Sequence, residues 1–177
     1  MKTRVLVTLS LFAAIGAVLH MVMPPFYNGM KPDMMLIMML IMMFIGIMLF
    51  PSLKNVTLLS IVTGILSALT TNFPGGQIPN IIDKLITAFI FYGLFLLVKK
   101  YAQNIVVATV LVVIGTIVSG TIFLTSALII VGLPGGAAFT ALFLSVVLPA
   151  TLFNGAATII VLPIVQAIFK RSNFITA

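Results

Sequence analysis

The sequence predicts an all-α membrane protein of six transmembrane helices, with both termini in the cytoplasm. Three observations carry that expectation. Of the 177 residues, 62% are hydrophobic and only 6% are charged, with a mean hydropathy of +1.36; a soluble domain carries about 25% charged residues. The apolar residues fall into six runs separated by turn-forming breaks, each long enough to approach the ~20 residues that a helix needs to cross a bilayer. Finally, the basic residues lie mostly in alternate breaks, as cytoplasmic loops of membrane proteins do.

The first run, 5–23, follows Lys2 and Arg4 and reads like a signal peptide. It is long, however, and no convincing small-x-small cleavage site follows it before MVMPPF, so a retained helix is expected. The second run, 34–50, follows Asp33 and begins MMLIMMLIMMFIGIM. Met34, Met38 and Met42 repeat at every fourth position, as do Met35, Met39 and Met43. Such a soft face suits packing against lipid or core, or a surface that must repack against a ligand or during a large motion. The third run, 55–72, spaces Ser60, Gly64 and Ala68 one turn apart, which permits close helix approach.

The fourth run, 80–98, is expected to start at Asn80, a good N-cap, with Asp83 in its first turn. The fifth, 104–131, carries Gly115 and Ser119, and the sixth, 138–169, contains Pro149 and Pro163 as kink sites. Both exceed a straight span, so they must tilt, bend or protrude. The chain is read as a single domain, 1–177.

With the N-terminus inside, Lys2, Arg4, Lys54, Lys99, Lys100, Lys170 and Arg171 fall on the cytoplasmic side, and only Lys31 and Lys84 fall outside. The net charge of +7 therefore records topology rather than an affinity for nucleic acid. Both Pro-Gly-Gly breaks, NFPGGQIP and GLPGGA, then face outward.

Several functions lack their residues. There is no GxxxxGK[ST] phosphate loop, so no ATP hydrolysis is expected of this chain. One histidine, two acids and no cysteine leave little from which to build a catalytic pair or a metal site, so neither enzyme activity nor a cofactor is expected. Binding and transport demand less.

The two acids, Asp33 and Asp83, each have a base beside them, Lys31 and Lys84. A zwitterionic ligand needs both signs: an acid for its ammonium, a base or helix N-terminus for its carboxylate. A helix-start role explains both acids as well. Asn72, Gln77 and Asn80 flank Gly75 and Gly76, where backbone can approach a ligand closely. His20 and Asn154 are polar groups within apolar runs; such groups mark functional sites or hold helices together. The candidate ligand contacts are thus His20, Lys31, Asp33, Asn72, Gly75, Gly76, Gln77, Asn80, Asp83, Lys84 and Asn154.

Six spans, cytoplasmic ends, the Ala13–Ala17 pair in the first helix and the lack of an ATPase motif together resemble the substrate-binding S components of energy-coupling factor (ECF) transporters. More narrowly, AIGAVLH (14–20), GMKPD (29–33) and above all GILSALTTNFPGGQIPNIIDKL (64–85) resemble the bacterial tryptophan transporter family TrpP. The resemblance runs over most of the chain. It implies an S-component-like bundle in the bacterial cytoplasmic membrane that binds tryptophan for uptake. It also implies partners: a transmembrane coupling subunit, docked on Ala13 and Ala17, and two ATPase subunits. The S-component class is thought to topple in the membrane, which would suit a repackable methionine face.

A pocket for tryptophan needs apolar walls, one acceptor for the indole N–H and a split charge pair. Phe26, Tyr27, Phe73 and Phe139 are the candidate walls near the outer face. Two other readings stay open: a solitary ion-coupled tryptophan carrier using His20 or Asp83, and a non-transporting membrane scaffold.

Overall fold

The computed structural model describes residues 3–22, 36–101 and 104–171, and every regular element among them is helical. Lys31, Asp33, Phe26 and Tyr27, and the side chain of His20, lie outside the described residues. The elements are α1 (Thr3–Val22), α2 (Leu36–Leu49), α3 (Leu53–Thr70), α4 (Gln77–Val98), α5 (Ile105–Ile130), a short α6 (Phe139–Leu142) and α7 (Leu148–Arg171). A 3-10 turn, Lys99–Tyr101, extends α4, and a π-helical turn, Phe143–Val147, joins α6 to α7.

Local chemistry accounts for the starts. Ser52 caps α3 by accepting from the Asn55 amide, and Asn104 caps α5 by accepting from Val106 at 2.8 Å. By contrast, the expected start of α4 at Asn80 is wrong. The helix begins at Gln77, with Gly76 as its cap residue, and runs through Pro79. Proline is tolerated there because the first amides of a helix have no intrahelical partner to lose. Further along the chain, the π turn ends two residues before Pro149, which has no N–H to donate, whereas Pro163 lies inside a continuous α7.

Helices α1 and α2 are antiparallel neighbours. A Cβ on Gly46 would meet Leu9 and Phe12, and one on Gly16 would lie 3.0 Å from the Met39 backbone. The two helices therefore touch closely where α1 is small. Ala13 and Ala17 line the same contact, only 3% and 7% exposed, and Ala17 packs on Met39. In this arrangement both alanines are covered, Ala17 by Met39 of the chain's own α2.

The methionine rows resolve similarly. Almost every described side chain of α2 is buried, with Met39 and Met43 at 1% and Met42 at 7%. A helix that is apolar all round belongs inside a protein, and α2 is the central strut of this one. Elsewhere, Phe44 of α2 stacks on Phe91 of α4 at 3.9 Å between centroids, with Gly115 of α5 pressed against both rings.

Among the described residues, four helical stretches are long and apolar enough to cross a membrane: Leu53–Thr70, Gln77–Tyr101, Ile105–Ile130 and Phe139–Arg171. Thr3–Leu19 and Met38–Leu49 are shorter apolar helices. Large aliphatic side chains such as Leu69, Leu97, Ile129 and Leu152 are exposed on the outside of the bundle, as a lipid-facing surface requires.

The described bases Arg4, Lys54, Lys99, Lys100, Lys170 and Arg171 are exposed at helix ends. The antiparallel pairing puts them at one end of the bundle and the two Pro-Gly-Gly breaks at the other. Lys84 corrects the charge count, because it is 1% exposed and belongs to the interior rather than to a loop.

Candidate functional site

The first Pro-Gly-Gly break packs against the end of α5, just before the second. Gly75 adopts a φ of +71°, and a Cβ there would sit 2.2 Å from a Val131 methyl group. Only glycine satisfies both the left-handed backbone and the approach of α5. The glycine thus serves contact between chain segments in this arrangement. Phe73, just before the first break, meets Phe123 of α5 edge-on at 5.2 Å. Leu133, Phe139, Leu142 and Phe143, from the second break and beyond, join Phe123, Leu124 and Val147 in one aromatic-aliphatic cluster. Gly120 makes room for it, since a Cβ there would collide with Val147 of the π turn. Both expected walls within the described residues, Phe73 and Phe139, belong to this cluster. An open apolar depression of about 250 Å³, lined by Phe139, Thr140, Phe143 and Leu144, lies on its α6 side.

About one helical turn deeper lies a buried charge pair. Asp83 and Lys84 of α4 are 0% and 1% exposed and form an ion pair through Oδ2 and Nζ. The Ser119 hydroxyl of α5 donates to Asp83 Oδ2 at 2.8 Å and accepts from Lys84 Nζ at 3.3 Å. The Thr87 hydroxyl donates to Asp83 Oδ1 at 2.7 Å. Both carboxylate oxygens are therefore satisfied, as a buried charge requires. This geometry corrects the helix-start reading of Asp83: its carboxylate is committed to side chains of α4 and α5 well inside the helix.

Thr87 stands one turn from Asp83, so sequence spacing alone contained that contact. Ser119 drew notice only as a small residue beside Gly115; its role as the link to both charges depends on the packing of α5 against α4.

Asn80, one turn nearer the breaks, is fully buried. Its Nδ2 donates to the Gly76 carbonyl at 2.9 Å, while its Oδ1 has no partner among the described residues. Gly76 is buried, whereas Gly75, Asn72 and Gln77 are exposed at the rim. Asn154 sits apart from this cluster, in α7. It is fully buried and donates to the Thr116 hydroxyl of α5 at 2.8 Å, an interhelical bond of the kind that joins membrane helices. Among the described residues, no group of acids and histidines is placed to hold a metal ion.

The arrangement combines one acid, one base, hydroxyls that reach both, an unpaired amide oxygen and an aromatic cluster directly above. Those are the parts needed to hold an aromatic zwitterion. Comparison with known proteins points the same way. The family model described as the tryptophan transporter TrpP matches residues 2–170. A Bacillus subtilis (strain 168) protein named probable tryptophan transport protein is 61% identical over 177 residues, covering 100% of this chain and 99% of its own length. A Clostridium acetobutylicum protein of the same name is 44% identical over 154 residues, covering 87% and 86%. A third, from Clostridium perfringens, is 35% identical over 183 residues, covering 98% and 97%. No solved structure matches the chain. A match of this identity over the whole length of a named relative places the chain in the TrpP tryptophan transporter family.

Proposed function

We propose that the protein takes up tryptophan across the bacterial cytoplasmic membrane, as the substrate-binding S component of an ECF transporter. In this reading the chain spans the membrane six times with both termini inside, and the exposed bases at one end of the bundle face the cytoplasm. The observation that carries the reading is the Asp83–Lys84 pair sealed beneath the Phe73–Phe123 cluster. Charged groups at membrane depth are costly and mark function.

A bound amino acid exchanges partners with the pair. Its ammonium takes the place of Lys84 Nζ on Asp83, and its carboxylate takes Lys84, with Ser119 bridging. The internal ion pair is thereby replaced by two intermolecular ones, and no charge is left unpaired. The indole lies against the aromatic cluster, whose phenyl rings offer edge and face contacts. For the ligand to reach the pair, the cluster formed by the two breaks must open.

Transport by this mechanism requires a coupling subunit and two ATPase subunits, because the chain has no phosphate loop of its own. Docking of the coupling subunit through Ala13 and Ala17 calls for α1 to move away from α2, since both alanines are covered in the present arrangement.

The test is binding of tryptophan, tyrosine, phenylalanine and indole to purified protein. The chain contains no tryptophan, so the ligand's indole fluorescence is read without indole emission from the protein. Saturable binding of tryptophan well above indole is expected. Equal affinity for both would remove any role for the charge pair, and no binding at all would leave the scaffold reading.

A second reading, a solitary ion-coupled carrier, draws on the same buried Asp83, a carboxylate able to carry a proton or sodium ion. Reconstitution decides between the two. Accumulation of tryptophan by the purified chain alone, along an ion gradient, would sink the S-component reading.

A further inference from the structure

The Asn80 oxygen, without a partner among the described residues, is the feature of the site that the charge-exchange mechanism does not use. Asn80 is fully buried, and a buried amide oxygen without a partner is costly. Its orientation is not arbitrary. The Gly76 carbonyl accepts from both the backbone N–H and the side-chain Nδ2 of Asn80, each at 2.9 Å. Turning the amide over would set oxygen against oxygen, so the hydrogen-bond network fixes Oδ1 as the free end.

The position of Asn80 completes the argument. It precedes Asp83 and Lys84 by three and four residues, which is about 4.5–6 Å along the helix axis at 1.5 Å per residue. It thus stands between the charge pair and the breaks. On α5, Phe123 stands one turn from Ser119 in the same direction and carries Phe73 edge-on. Passing outward from the charges, one meets an acceptor and then aromatic rings. A tryptophan whose ammonium and carboxylate occupy Asp83 and Lys84 extends its ring outward, and its indole N–H lies within one helical turn of the backbone charges.

We infer that Asn80 Oδ1 is the acceptor for the indole N–H and so the residue that selects tryptophan over phenylalanine. The inference rests on the proposed tryptophan site. It adds what the charge pair cannot supply, because all amino acids share the same two charges. A site built to bond a ring N–H rejects the analogue lacking it more strongly than a purely apolar slot can.

The experiment uses the full-length purified protein and compares tryptophan with 3-benzothienylalanine, which keeps the bicyclic shape but replaces N–H by sulfur. Wild-type protein is expected to favour tryptophan by about tenfold or more, within the range that one buried hydrogen bond supports. Asn80→Leu should reduce that preference to about twofold, with affinity for phenylalanine retained. If Asn80→Leu is recovered unfolded, Asn80→Ala provides the same comparison with less bulk.

A wild-type protein that binds both analogues equally overturns the inference. So does a preference that survives intact in the Asn80 variant, which would mean that Oδ1 bonds water. Either result leaves tryptophan binding standing, whereas failure of the wild type to bind tryptophan removes the site itself.

Discussion

Removing the Asp83 carboxylate leaves the Lys84 ammonium where solvent does not reach it. Breaking such a pair on one side costs about 3–5 kcal/mol, so Asp83→Asn should lower the thermal unfolding midpoint as well as abolish tryptophan binding. Asp83→Asn combined with Lys84→Met removes both charges and should recover most of the stability, yet binding should stay lost. A double variant that binds tryptophan normally would show the pair to be structural. Thr87 and Ser119 belong to the same network, and Ser119→Ala should weaken binding by about tenfold, as expected for one lost hydrogen bond to a charge. Thr87 is legible in the sequence, one turn from Asp83; Ser119, on another helix, is not.

Where helices meet, glycines and alanines mark the contact. Ala17 is 7% exposed against Met39, and Ala17→Leu would force α1 off α2 at a cost of about 1–3 kcal/mol. A lower unfolding midpoint in that variant, measured beside tryptophan uptake, tells packing from docking; unchanged stability with lost uptake would restore the docking role. Gly115→Val should likewise part the Phe44–Phe91 stack, because the added methyl groups fall where both rings already touch the α5 backbone. Small-residue spacing in the sequence announced close approaches without naming their partners. The helix runs themselves were legible to within a few residues, α4 excepted. There Pro79 read as a break, although a first-turn proline has no hydrogen bond to lose.

Taken whole, the bundle has a basic end and an end closed by the two Pro-Gly-Gly breaks. The cysteine-free chain makes its orientation testable with single introduced cysteines. In intact cells, an impermeant thiol reagent should label Ala138→Cys, exposed beside the second break, and should not label Lys100→Cys until the membrane is opened. The reverse pattern would turn the molecule over and place the proposed entry inside the cell.

The sequence by itself determined the membrane setting, the six apolar runs, the polar stretch 72–84 and the family, because hydropathy, charge bias and a specific segment are all linear properties of a chain. Only the tertiary structure decided which of those polar groups are sealed in. Asn72 and Gln77 went to the rim, while Asn80, Asp83 and Lys84 went to the core. Helical rotation set that division, and α5 fixed it by bringing Ser119 to both charges and Phe123 to Phe73. Spacing along one helix reveals partners on the same face, but a partner from another helix is defined only once the two have packed.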